Sequence, residues 1–105
     1  MKILCKCGTV IRDQTDYLPH KAYVIGDKDY FEFLDLVDAA ILSKDENRER
    51  LLENVRGAEP SRLAWECNSC GRLFFDAKDG KLVEYLPQNS KANRIFDRPG
   101  KPPIQ

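Results

Sequence analysis

Net charge is the first thing this sequence lacks: 17 basic side chains are matched by 17 acidic ones over 105 residues. Proteins that live on a phosphate backbone usually carry excess Lys and Arg, so this balance counts against non-specific nucleic-acid binding. Long apolar runs are missing too. Nothing approaches the roughly 18 apolar residues of a membrane helix. Ile3 and Leu4 are the only apolar residues between Met1-Lys2 and Cys5, too few for a signal-peptide core. The expected setting is the cytoplasm, with no membrane partner. There thiols stay reduced, and paired cysteines more often hold metal than form disulfides. Histidine occurs once, as His20. With no second histidine and no obvious nucleophile pair, no hydrolase arrangement is visible and a non-enzyme is expected.

What is present suits one small folded domain. Hydrophobic residues make up 42% and charged residues 32%, too apolar and too balanced for a disordered chain. Charge is unevenly placed: residues 1–55 hold 8 basic and 11 acidic side chains, and residues 56–105 hold 9 and 6. Residues 2–12 read as a strand, a tight turn marked by Gly8, and a second strand. Residues 13–21 read as an irregular loop, followed by a strand over Ala22–Ile25. A helix is expected from Asp27 or Asp29, either of which can cap it with a short carboxylate. Tyr30, Phe33, Leu34, Val37 and Ile41 recur at helical spacing as its inward stripe. Ser43 and Glu46 fit a capping box opening a second helix to about Arg56, with Leu51, Leu52 and Val55 inward and Gly57 as its stop. Strands then flank Cys67–Cys70, and Asp79-Gly80 marks a hairpin turn before Leu82–Leu86. The predicted organisation is one four-cysteine domain over residues 1–87, with a helical insertion at about 27–57 and an extended or disordered tail over 88–105.

The most specific feature is Cys67-Asn68-Ser69-Cys70-Gly71. A zinc ion takes four ligands at tetrahedral corners with Zn–S near 2.3 Å, which sets the sulfurs about 3.8 Å apart. Two residues in a tight turn bring two sulfurs that close. A following glycine can take positive φ and let backbone N–H groups point back at the thiolates. Cys5-Lys6-Cys7-Gly8 departs from this spacing. On a flat strand, side chains at i and i+2 lie about 6.5–7 Å apart, so the chain must turn there, and Gly8 allows it. Lys6 and Arg72 would offset part of a four-thiolate charge. The metal ligands expected are Cys5, Cys7, Cys67 and Cys70, around one structural Zn²⁺.

Around these cysteines the sequence resembles the zinc-ribbon and rubredoxin-like group, which grips one metal between two knuckles, each on a β-hairpin. Cys67–Gly71 matches such a knuckle, and Cys5–Gly8 is one residue short of it. The 59 residues between Cys7 and Cys67 would be a large insertion. The resemblance implies an α+β fold in which two cysteine-bearing hairpins clamp the metal and a helical hairpin lies between them. Other readings of the same thiols are four unrelated cysteines or a disulfide pair, a redox dithiol at Cys67/Cys70, and iron in a rubredoxin-like electron carrier.

Elsewhere the residues point to ordinary structure. His20 reads as a solvent-exposed loop residue, and the acidic stretch Asp27–Asp38 as a solvated helix face lacking the pattern of a calcium loop. Phe31 falls off the main stripe and is the best candidate for an exposed contact. Lys91, Arg94, Arg98 and Lys101 read as a solubilising tail. The functional expectation is a protein-binding adaptor or immunity-type accessory module, acting through its acidic helix or basic tail. The rival is a nucleic-acid-binding zinc ribbon with a basic face around Arg62, Arg72 and the tail.

Overall fold

The computed structural model describes residues 1–43, 48–77 and 79–97. The fold is α+β: six strands in two antiparallel sheets, and two helices. β1 (Lys2–Leu4) and β2 (Val10–Arg12) form one hairpin. β3 (Lys21–Val24), β4 (Arg62–Glu66), β5 (Leu73–Asp76) and β6 (Leu82–Tyr85) form the second sheet in that order. α1 (Asp27–Leu42) and α2 (Arg48–Gly57) lie between β3 and β4 in sequence. The chain divides into two compact units: Met1–Tyr23 with Arg62–Gln105, and Val24–Ser61.

The first unit is built by period-two patterning. In the hairpin, Ile3 pairs with Ile11, and both are buried while their strand neighbours are exposed. In the sheet, Trp65 pairs with Phe74 across β4 and β5, again with both side chains inward. The core is Ile3, Cys5, Ile11, Trp65, Cys67 and Phe74, with Leu63 and Cys70 packed against it. Two of those six buried residues are cysteines, so sulfur is part of the core itself. The hairpin turn expected at Asp79-Gly80 is present: Gly80 N–H donates to the Ala77 carbonyl at 3.1 Å, and Ala77 N–H to that of Lys81 at 2.8 Å.

Two carboxylates, half-buried Asp13 and buried Glu66, tie distant segments of this unit together. Asp13 accepts from Trp65 Nε1 at 3.0 Å and pairs with Lys21 Nζ at 2.9 Å. Glu66, 3% exposed, accepts from the backbone N–H of Asn93 at 2.8 Å and of Ile95 at 3.2 Å. Residues 88–97 therefore form a strap without helix or strand, held to β4 by two hydrogen bonds to one carboxylate. His20, expected in free solvent, has Nε2 2.9 Å from the Arg12 carbonyl. Its own carbonyl accepts from Glu66 N–H at 2.8 Å.

In the second unit, α1 and α2 pack on each other. The α1 stripe agrees with the expected one at Phe33 and Val37 and differs elsewhere. Phe33, Val37 and Ala40 are the covered line, whereas Tyr30, Leu34 and Ile41 are exposed. Both sets have helical spacing, and only one of them is covered. On α2, Leu51 and Val55 are half-buried and Leu52 is exposed. Neither Asp27 nor Asp29 caps α1: Gly26 holds the N-cap position and accepts from Tyr30 N–H at 2.8 Å. The two carboxylates sit in the first turn, where the helix dipole favours them. Gly57 ends α2 as its last residue and is not among the glycines with positive φ. Glu46 of the expected capping box lies outside the described residues.

Candidate metal centre

Both cysteine turns close by the same bonding scheme, one residue apart in length. In the first, Gly8 N–H donates to the Cys5 carbonyl and Cys5 N–H to that of Thr9, both at 2.9 Å. In the second, Gly71 N–H donates to the Cys67 carbonyl at 3.0 Å and Cys67 N–H to that of Arg72 at 2.8 Å. The first turn is thus a contracted copy of the second. Gly8 (φ 96°) and Gly71 (φ 79°) both adopt the left-handed conformation that other residues resist. That bend overcomes the strand spacing that would otherwise hold Cys5 and Cys7 apart.

The turns bring all four sulfurs within 4.8 Å of one another. Two distances run between the hairpins: Cys5 Sγ to Cys70 Sγ and Cys7 Sγ to Cys67 Sγ, each 3.5 Å. These are far beyond an S–S bond, and all four cysteines are free. They match the roughly 3.8 Å edge of a tetrahedron of thiolates around zinc. The donor set fits a metal by its chemistry as well as its size. Four thiolates suit Zn²⁺ or iron and disfavour magnesium or calcium. His20 lies outside the cluster, bonded to Arg12.

The surroundings bias the sulfurs unequally. Burial pushes the Cys5 thiol up to about 12, against the Cys7 backbone N–H, which favours its thiolate. Cys7 is exposed, and the Thr9 hydroxyl and then the Thr9 backbone N–H bring it down to about 6. Thr9 Oγ1 lies 3.3 Å from Cys7 Sγ and 2.8 Å from Ser69 Oγ. Donation along this chain runs from Cys7 outward when it is a thiol, and reverses toward a Cys7 thiolate. Burial raises Cys70, but the Arg72 backbone N–H and guanidinium outweigh it and leave the thiol below its ordinary value. Arg72 Nη1 donates to Cys70 Sγ at 3.2 Å while its Nε pairs with Glu84 Oε1 on β6 at 2.8 Å. Glu84 thus aims the guanidinium at the sulfur. Lys6 pairs instead with the other oxygen of Glu84, at 3.4 Å and largely in solvent, and reaches no sulfur among the described contacts.

Sequence reasoning missed Glu84, Thr9 and Ser69 as supports for the cluster. Each is polar and unremarkable in its own segment: Glu84 meets Arg72 across the β5–β6 hairpin, and the Thr9–Ser69 bond joins two cysteine turns that are remote in sequence.

Fold and cluster together define a small α+β domain with a four-cysteine site of metal-binding dimensions. The chain belongs to the family described as Domain of unknown function (DUF8617), whose family model matches residues 1–93, a span covering both cysteine pairs and both helices. No curated protein and no solved structure matches it.

Proposed function

We propose that this chain is a non-enzymatic domain organised around one structural Zn²⁺ and used as a protein-binding adaptor, of the accessory or immunity type. The observation that carries the metal assignment is the convergence of Cys5, Cys7, Cys67 and Cys70 within 4.8 Å. A zinc ion with four protein ligands has no open position for substrate or water, the arrangement of structural sites. Because the sulfurs meet only in the folded chain, metal-binding energy becomes folding energy. No other group of three or more metal-ligating side chains gathers among the described residues, and none of their helices is long and apolar enough to cross a membrane.

Elemental analysis of protein purified without chelators tests the metal. One zinc per chain is expected, and cobalt replacement should give the visible bands of a tetrahedral thiolate site. Red protein carrying iron would transfer the assignment to electron transfer, and metal-free folded protein would remove it. The adaptor role is tested by affinity capture from the source cell with the zinc-loaded chain, where a stoichiometric protein partner is expected.

Nucleic-acid binding is a second reading, supported by one observation: the first unit, which carries the four cysteines (the metal unit), holds twelve basic and seven acidic side chains, a net of +5. Two facts weaken it. Lys6, Lys21, Arg72 and Arg94 already pair with carboxylates of the same unit. A four-thiolate zinc would also subtract two charges. Titration of fluorescent DNA and RNA at two salt concentrations separates the readings. Affinity that collapses with salt supports nucleic acid, and no binding at low salt removes it.

A further inference from the structure

The helical unit leaves an apolar face of its own uncovered. Tyr30, Leu34 and Ile41 follow one another along α1 at helical spacing, and Phe31 and Leu42 widen the strip at either end. All five are between 36% and 77% exposed. Single exposed apolar side chains are ordinary on a protein surface. Six of the sixteen residues of α1 are exposed large apolar ones; Leu36 stands apart by helical spacing, but the other five share one side, next to the covered Phe33, Val37 and Ala40, and are not scattered. From Tyr30 to Leu42 the strip runs about 18 Å at 1.5 Å per residue. The same helix bears Asp27, Asp29, Glu32, Asp35 and Asp38 against a single Lys28.

We propose that this face of α1 docks a cationic amphipathic helix of a partner protein, a site that rests on the adaptor role above. A long, narrow apolar strip is the surface that another helix fills with residues at i, i+3, i+4 and i+7. The acidic margin then selects among partners. Nucleic acid and anionic lipid are repelled by it. The same face on a second copy would bring Asp27, Asp35 and Asp38, which helical spacing sets beside the strip, against their own counterparts, and juxtaposed like charges are disfavoured. A basic helix satisfies both features: its apolar side covers Tyr30, Leu34 and Ile41 while its lysines or arginines meet Asp35 and Asp38.

The test uses the full zinc-loaded chain and a synthetic leucine–lysine peptide with leucines at helical spacing, followed by calorimetry. A leucine–glutamate peptide of the same pattern is the control. The leucine–lysine peptide should bind, and both the Phe31→Ser/Ile41→Ser and the Asp35→Lys/Asp38→Lys variants should weaken it about tenfold or more. Equal zinc content and equal helical circular dichroism show that the variants keep the fold. Loss in the charge variant alone would reduce the contact to general attraction and overturn the docking face. So would equal binding of the leucine–glutamate peptide, or no binding. Self-association in sedimentation that Phe31→Ser/Ile41→Ser abolishes would overturn it in favour of a second copy. Capture of a cellular partner equally well by wild type and Phe31→Ser/Ile41→Ser would sink this face while leaving the adaptor role on another surface.

Discussion

The two units of the chain divide labour by charge and by burial. The metal unit has a net charge of +5 and the helical unit a net of −5, with five basic against ten acidic side chains, although the whole chain is neutral. Among the described residues every buried one except Ala40 belongs to the metal unit. In one unit the buried apolar groups gather around sulfur; in the other, six of the sixteen residues of α1 are exposed large apolar ones. Helices of sixteen and ten residues have little stability alone in water. The contrast teaches that zero net charge need not mean an unpolarised surface, and that the groups holding a fold and those available for recognition can occupy separate stretches of sequence.

The strongest way to break this contrast is to break the proposed metal site. Cys67→Ser removes one buried member of the cysteine cluster and leaves three thiols. Structural zinc sites contribute about 10–16 kcal/mol in small peptides, against about 5–15 kcal/mol for the whole stability of a typical domain. The metal unit should therefore unfold. Trp65, 1% exposed, reports it: its emission should shift to that of a solvated indole. Buried-indole emission from metal-free Cys67→Ser protein would mean that Ile3, Ile11, Trp65 and Phe74 suffice without sulfur–metal bonds.

Within the metal unit, the next largest effect separates the two turns. Gly8 and Gly71 share a positive φ, but their surroundings differ. Nothing lies within 4 Å of where a side chain would start at Gly8, whereas one at Gly71 would overlap the Lys91 carbonyl of the strap. Gly8→Ala should cost only the left-handed backbone penalty, about 1–2 kcal/mol. Gly71→Ala should add overpacking, for about 2–5 kcal/mol in all. Urea unfolding of the zinc-loaded proteins measures both. Equal costs would mean that residues 88–97 do not lie against the second turn.

A smaller effect belongs to the Asp13–Lys21 pair, whose side chains are 14% and 15% exposed. Asp13→Asn keeps an acceptor for Trp65 but leaves Lys21 with no charged partner, and should cost about 1–3 kcal/mol. The pH dependence follows from the directions of the shifts. Lys21, and then Trp65, hold the Asp13 carboxyl below its ordinary range despite burial, so its contribution is complete above about pH 4 and fades only as pH falls toward the lowered folded value. Asp13 holds Lys21 above its ordinary value, so that contribution is complete below about pH 10 and is lost only at higher pH. The stability gap between wild type and Asp13→Asn should be flat from pH 5 to pH 8. A gap that narrows over that interval would place the stabilising group elsewhere.

The parts of this architecture that could be read along the chain are those written in local spacing. Cys67-x-x-Cys70-Gly71 announces a turn with two converging sulfurs, and the glycine after Cys7 signals that a shorter turn is feasible. Strand-forming residues between turn signals, such as Thr9-Val10-Ile11 after Gly8, give strands, and periodicity from Tyr30 to Ile41 gives a helix. Which side of that helix is covered was not legible, because Phe33-Val37-Ala40 and Tyr30-Leu34-Ile41 both satisfy the period and only tertiary packing decides between them. Asp13, in a stretch read as irregular loop, and Glu66, inside a strand, carry no local mark of their partners. Trp65 is 52 positions from Asp13, and Ile95 is 29 from Glu66. Hydrogen bonds of that range are set by chain topology.

The smallest expected effect sharpens the contrast from the helical side. Phe31 and Ile41 are 57% and 58% exposed, so replacing either with serine removes little buried area and leaves no cavity. Serine is only slightly poorer than these residues as a helix former, and surface substitutions away from special features usually fall within about 0.5 kcal/mol. Each change should shift the urea midpoint of the zinc-loaded protein by no more than that corresponds to, well below the Asp13→Asn effect. A cost of about 2 kcal/mol or more for either would mean that these side chains are part of what holds the helical unit together. The strip on α1 would then be core, and no partner would be needed to explain it.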